Sequence, residues 1–354
     1  MYRIAKDKVN DIAAALAEEH TLYAPALQRE TLQVMFTQIK DLARINLTAA
    51  LPLVPPKHVV FPQFGRTLSY AYDKAKQEVK FTPETDNSPK ALFGVRACDL
   101  TGIQCLDRFY LGQDFVDEVY RDHRKKMFIV ANTCVTPFRE CFCSCMDSGP
   151  SAREGFDMNL TDLGNEYLIE IGSEKGETLA KKLSLASAPE SAKRDREKAV
   201  DKSLSLFSKT AKDNKAWISR VVNRVTTGLF DEKAWTYIGD QCLECGACSF
   251  VCPSCSCFNV VDSVTGKDSA ERTRTWDSCS FEGYSRMAGG HNPRKPVEDR
   301  RSKRFFCKLS YSQSKKYLRP GCVGCGRCAW VCPGDIGMPN VVTYIRREIT
   351  KKGQ

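Results

Sequence analysis

The chain has 354 residues, with 18 cysteines against only 4 histidines and a formal net charge of +10. Its hydrophobic fraction of 42% and charged fraction of 27% are those of an ordinary globular protein, which argues against disorder and against a collagen-like chain. The length suits two domains that can each bury a core, and no apolar run reaches a membrane-spanning length.

At the N-terminus, MYRIAKDKVNDIAAALAEEH alternates charge with Ala, Ile and Leu. It predicts an amphipathic surface helix and lacks the apolar core of a signal peptide. A cytoplasmic protein is therefore expected, and in a reducing compartment so many cysteines favour metal ligation over disulfides.

ALFGVRAC (91–98) reads as a buried strand, and DLTGIQCLDRFYL (99–111) as a helix with Asp99 placed as its N-cap. KMFIVANTC (126–134) is a second buried strand. Strand, helix and strand in this order predict a right-handed crossover between two parallel strands. Cys98 and Cys134 then sit at the carboxyl ends of those strands, the edge where open α/β sheets bind ligands. The loop VTPFRECFCSC brings Cys141, Cys143 and Cys145 over that edge. A third metal site on Cys98, Cys134, Cys141 and Cys143 is expected, as a [4Fe–4S] cluster or as tetrahedral zinc; inert core cysteines are the other reading. FDMNLTDLGNEYLIEIG (156–172) follows as a hairpin turning at Gly164-Asn165.

Residues 187–217, SAPESAKRDREKAVDKSLSLFSKTAKDNKAW, have the composition of an exposed helical connector. The expected organisation is an α+β chain: an α/β domain over 1–185, a connector over 186–235, and a two-cluster ferredoxin-like domain over 236–354 with a long insert at 254–321.

Two runs carry the strongest signal. Residues 242–253 read C-LE-C-GA-C-SFV-C-P, and 322–333 read C-VG-C-GR-C-AWV-C-P. Each is the CxxCxxCxxxCP pattern of bacterial two-cluster ferredoxins, in which the fourth cysteine ligates the other cube. One cluster is therefore expected on Cys242, Cys245, Cys248 and Cys332, and its partner on Cys322, Cys325, Cys328 and Cys252. Gly246, Gly324 and Gly326 would let backbone N–H groups approach the sulfurs. Trp330, Val331, Phe250 and Ile336 supply apolar shielding. Zinc fits poorly, because it takes knuckles separated by a longer loop; disulfides between residues three apart would be strained.

The insert leaves Cys255, Cys257, Cys279 and Cys307 over, enough for a fourth cluster or for four small buried hydrophobes. Its basic run, Arg294, Lys295, Arg300, Arg301, Lys303, Arg304 and Lys308, reads as a solvated face that docks an acidic redox partner. Nucleic acid is the weaker reading, since no zinc-finger, RRM or helix-turn-helix pattern accompanies it. His291, in AGGHNPR, reads as a loop histidine. No GxGxxG follows a predicted strand and GxxxxGK[ST] is absent, so a nucleotide or flavin site is not expected on this chain.

Taken in order, GVRACDLTGIQCLDRFYL, CFCSCMDSGP, CLECGACSFVCPSCSC, WDSC, AGGHNPR and CVGCGRCAWVCP resemble the electron-transfer subunit of anaerobic sulfite reductase and, equally, the β subunit of cytoplasmic NiFe sulfhydrogenases. The likeness runs from about residue 55 to 340. It implies an iron–sulfur electron-transfer subunit that turns over no substrate alone. It would work beside a subunit carrying FAD and exchanging electrons with NAD(P)H, and beside a terminal redox subunit of sirohaem or NiFe type. It also supports Cys98, Cys134, Cys141 and Cys143 as a matched quartet and leaves Cys105 and Cys145 structural. Cys255, Cys257 and Cys279 match family cysteines, whereas the family has His where this chain has Cys307. Thiolate in place of imidazole lowers a cluster's potential. A zinc- or cluster-stabilised scaffold bridging other subunits or nucleic acid is the alternative from a different class.

Overall fold

The computed structural model describes residues 1–351, apart from 50, 85, 87, 208–214, 230–232 and 315–317. Its main sheet has eight strands: β1 (Tyr2–Ala5), β2 (Thr21–Gln28), β3 (Gln33–Gln38), β6 (Lys90–Arg96), β7 (Met127–Asn132), β8 (Met158–Asp162), β9 (Glu166–Ile171) and β10 (Ala186–Ser187). Their order is β10-β1-β9-β8-β7-β6-β2-β3. The central four, β8-β7-β6-β2, are parallel.

β6 and β7 are buried along their whole length, and apolar between their polar ends Lys90, Arg96 and Asn132, because both faces of the sheet are covered. Phe93, Phe128 and Val130 pack on one side with α1 (Val9–Ala17). Leu92, Val95, Met127 and Ile129 pack on the other with α2 (Lys57–Val60) and α3 (Ala97–Tyr110). The expected crossover β6-α3-β7 is present, and β6 and β7 pair in parallel, Leu92 opposite Ile129. β8 and β9 form the expected hairpin, with Gly164 at φ 104° in its turn. The N-terminal expectation is met over α1 alone, since residues 2–5 form β1.

A second sheet, β11-β12-β4-β5, joins β4 (Phe64–Asp73) and β5 (Glu78–Pro83) to β11 (Phe258–Gly266) and β12 (Ser269–Trp276). Strands from the 1–185 region and from the 254–321 insert thus share one sheet. It is anchored at Trp276, whose indole N–H donates to the Phe61 carbonyl at 3.0 Å and whose ring lies 3.7 Å from the Lys57 ammonium.

The stretch expected as connector divides in two. Helix α6 (Ala192–Leu206), preceded by α5 (Glu174–Lys182) and by α4 (Glu118–Lys125) after α3, buries only Ala192 and Ser203. Residues 208–214 of the expected connector lie outside the described residues. Helices α7 (Lys215–Thr227) and α8 (Lys233–Asp240) are packed instead: Ile218, Val221, Val222, Val225 and Ile238 enter a third core. That core also holds Phe305 and Leu309 of α10 (Val297–Leu309), Val341 and Ile345 of the C-terminal helix, and six cysteines. No described helix is long and apolar enough to cross a membrane.

Candidate metal centres

The two CxxCxxCxxxCP runs adopt the same backbone. Each ends in a single helical turn, α9 (Ala247–Phe250) and α11 (Arg327–Trp330), capped by Gly246 at φ 74° and Gly326 at φ 77°. Two residues earlier, Glu244 and Gly324 are also left-handed, at φ 54° and 65°. This conformation turns backbone donors inward: Glu244 N–H lies 3.4 Å from Cys242 Sγ, and Gly324 N–H lies 3.3 Å from Cys322 Sγ. Met338 N–H, at the start of α12 (Met338–Lys351), reaches Cys328 Sγ at 3.2 Å. One motif has Glu and the other Gly because their surroundings differ. A Cβ on Gly324 would stand 2.7 Å from Cys143 N, whereas the Glu244 carboxylate reaches out to Arg300 at 2.6 Å.

The cysteines fall into neighbourhoods. Cys242, Cys245, Cys248 and Cys332 line one small pocket together with Arg301, Val331 and Ile336. Cys245 is exposed there. Cys322, Cys325, Cys328 and Cys252 stand within electrostatic reach of one another. In each grouping the fourth cysteine of one motif lies near the first three of the other. Cys134, Cys141 and Cys143 converge in the same way, and Cys143 and Cys325 act on Cys98. The cysteine loop is clamped onto the second motif: Phe142 N–H donates to Gly324 O at 2.8 Å, and Ser148 Oγ donates to Val323 O at 2.5 Å. In the fourth set, Cys257 and Cys279 are hydrogen-bonded and Cys307 lies close to Cys257. Cys255 instead hydrogen-bonds Cys252. Cys105 is buried on α3, and Cys145 is buried in the loop.

The charge around these sets is lopsided. Burial raises the thiols of Cys98 and Cys143 well above their ordinary range, and Cys325 to about 12. At the other side, Cys248 is held low by the Arg304 and Arg301 guanidiniums in spite of its burial. Cys279 falls to about 5 through its bond with Cys257 and the same two arginines. Those arginines lie on α10, and with Arg300 and Lys308 they correct the expected solvated basic face, of which Lys295 stays exposed and Arg294 and Lys303 half-buried. Arg300, Arg304 and Lys308 recur at i, i+4 and i+8, and with Arg301 they are buried toward the cysteines. Sequence counting could not distinguish this from a wet face, because the helical period is the same for either.

The buried cations also test whether iron–sulfur clusters fit. Arg301, Arg304 and Lys57 are 2%, 3% and 2% exposed. Among the described residues none of the three has a carboxylate partner. Arg301 touches Ser280 Oγ at 3.2 Å and Cys248 Sγ at 3.9 Å, and its Nε is buried without a partner. Arg304 reaches Ser249 Oγ at 3.1 Å, Cys255 Sγ at 3.8 Å and Cys248 O at 2.7 Å. Lys57 donates to the carbonyls of Ser249 and Cys255 at 3.2 and 3.4 Å. Unpaired buried cations are costly, so the negative charge must come from the sulfurs. Ligating thiolates supply it. Tetrahedral zinc would bring thiolates within about 3.8 Å of one another; among the described residues no three Cys, His, Asp or Glu side chains close on a single ion.

Asp99 is the second correction. Helix α3 begins at Ala97 behind Arg96, so Asp99 lies inside the first turn and is not the N-cap. It is fully buried and grips Arg327, also fully buried, through two oxygens, one at 2.8 Å from Nη2. Arg327 Nε donates to Pro52 O at 2.7 Å. The pair sits between Cys98 and Cys325. Its signal in the sequence was the Arg of CGRC against the Ala of CGAC, which composition alone does not interpret. Of the expected shields, Ile336 is buried, Trp330 stacks on Phe138 at 4.7 Å, and Phe250 stacks on Trp276 at 6.2 Å. His291 is an exposed loop residue whose carbonyl accepts from Met287 N–H at 2.8 Å.

Residues 241–336 match the 4Fe-4S dicluster domain family. The chain is 31% identical over 334 residues to the sulfhydrogenase 2 subunit beta of Pyrococcus furiosus, covering 94% of each protein. No solved structure matches.

Proposed function

The chain belongs to the family of the sulfhydrogenase β subunit, and on that premise we propose how its cysteines divide the work of an iron–sulfur electron-transfer subunit. Four sets would hold four [4Fe–4S] clusters: Cys242, Cys245, Cys248 and Cys332; Cys322, Cys325, Cys328 and Cys252; Cys98, Cys134, Cys141 and Cys143; and Cys255, Cys257, Cys279 and Cys307. The observation that carries this reading is continuity. Cys325 acts on Cys98, Cys141 and Cys143, Cys248 acts on Cys328, and Cys252 bonds Cys255, so the sets form one connected series.

A bound cluster supplies a site that takes up and releases one electron. The chain's own groups do the rest. The N–H groups of Glu244, Gly324 and Met338 point at sulfur and favour its negative charge. Arg301 and Arg304 offset charge from α10, while Phe305, Leu309 and Ile336 exclude water. Exposed Cys245 makes the first set the port to a partner.

A cytoplasmic complex would supply that partner: a subunit carrying FAD and exchanging electrons with NAD(P)H, and a terminal subunit of NiFe or sirohaem type. The relative's name, which is that of a hydrogenase subunit, favours the NiFe form. Iron analysis of the anaerobically purified chain tests the scheme. About sixteen irons per chain are expected, whereas about twelve would remove one set and about eight would leave only the paired motifs. A colourless zinc protein would refute it. Co-purifying subunits and their sirohaem or NiFe signature would identify the terminal chemistry.

A further inference from the structure

Several buried charges in this protein are neutralised locally. Arg327, between the second and third cysteine sets, is held by Asp99, and Arg300 is held by Glu244. Arg304 is different. Its guanidinium lies where three sets meet: 3.8 Å from Cys255 Sγ, 2.7 Å from the carbonyl of Cys248, and close enough to Cys279 and Cys328 for its charge to act on both. It also reaches the neutral Ser249 hydroxyl at 3.1 Å, and no carboxylate reaches it among the described residues. Arg301 touches Cys248 Sγ and Ser280 Oγ, and its charge also acts on Cys279.

We propose that Arg304 is the positioning residue that sets the reduction potentials at this junction, its guanidinium placing a positive charge that no carboxylate compensates among the described residues against the first, second and fourth sets. Reduction adds one electron to a cluster and moves no atom, so a fixed nearby cation favours the reduced form. In a low-dielectric surround this interaction is screened far less than at the surface. Arg304 therefore raises the potentials of the clusters that face it from α10.

The inference rests on the assignment of clusters to these sets, which the iron count tests separately. The experiment is an EPR-monitored redox titration of the intact complex carrying Arg304→Gln, with iron measured on the same sample. At full iron, the signals of the α10-facing clusters should require at least a tenfold higher reduced-to-oxidised ratio of the mediator couple, 59 mV for one electron, while the third-set signal stays in place. Arg304→Lys, which keeps the charge, should return the potentials to within about threefold of the parent value. Unmoved potentials in the Gln variant at full iron would overturn the proposal, as would an equal shift in every signal. Should the Gln variant lose iron, the Lys variant decides alone. Potentials near the parent's support a role for the charge, and a tenfold fall overturns it in favour of the guanidinium's shape.

Discussion

The Asp99–Arg327 pair gives the most quantitative test of the packing described above. Asp99→Asn keeps the shape of the side chain and one acceptor but removes the negative charge. Both residues are fully excluded from solvent and joined through two N–H···O contacts. Removing one partner of such a pair leaves the other charge buried, at a cost of about 3–5 kcal/mol. With about 2.1 cal/mol/K of unfolding entropy per residue, 354 residues give about 0.74 kcal/mol/K, so the thermal midpoint should fall by about 4–7 °C. The assay is anaerobic calorimetry of the loaded chain at one scan rate, with iron determined before heating. Asp99→Leu combined with Arg327→Met removes both charges and should recover at least half of the loss, since apolar replacement of a whole buried pair is often neutral. A fall of less than about 1 °C would refute the reasoning, because it would mean that the neighbouring sulfurs, and not Asp99, hold the guanidinium. A double variant no better than the single one would refute it equally.

Two further outcomes follow from the motif geometry. Cys252→Ser should abolish the signal of the cluster on Cys322, Cys325 and Cys328 and leave that of Cys242, Cys245 and Cys248, as EPR of the reduced protein would read; loss of the latter instead would refute the crosswise exchange. Gly324→Ala meets both a left-handed φ of 65° and a Cβ 2.7 Å from Cys143 N. It should destabilise by about 1–3 kcal/mol in the same melts.

What could be read from the sequence was what spacing controls. The CxxCxxCxxxCP runs, the β6-α3-β7 crossover and the β8–β9 hairpin are local patterns, and their residues lie where the patterns place them. Partners far apart in the chain were a different matter. Asp99 looked like a helix cap because its partner stands 228 positions away. The α10 cations looked like a solvated face because an inward and an outward stripe share one periodicity. The sulfurs of Cys248 and Cys255, which lie beside Arg301 and Arg304, are distant in the chain and give the inward stripe its partners. Within the leftover cysteines, Cys255 bonds Cys252 while Cys257 bonds Cys279, partners that spacing does not reveal.

The second sheet sets a timetable for biosynthesis. Ala71 pairs with Ser269, about 200 residues later in the chain, so at roughly 5–20 residues per second β12 leaves the ribosome about 10–40 s after β4. During that interval β4 and β5 are a lone hairpin, a form with little stability of its own. The thiols of Cys98, Cys134, Cys141 and Cys143 have already emerged, but the 322–328 loop that clamps their own loop has not been made. A nascent chain therefore offers this quartet to its iron–sulfur assembly machinery or to oxidants well before the other sets exist. The third set is synthesised first and enclosed last.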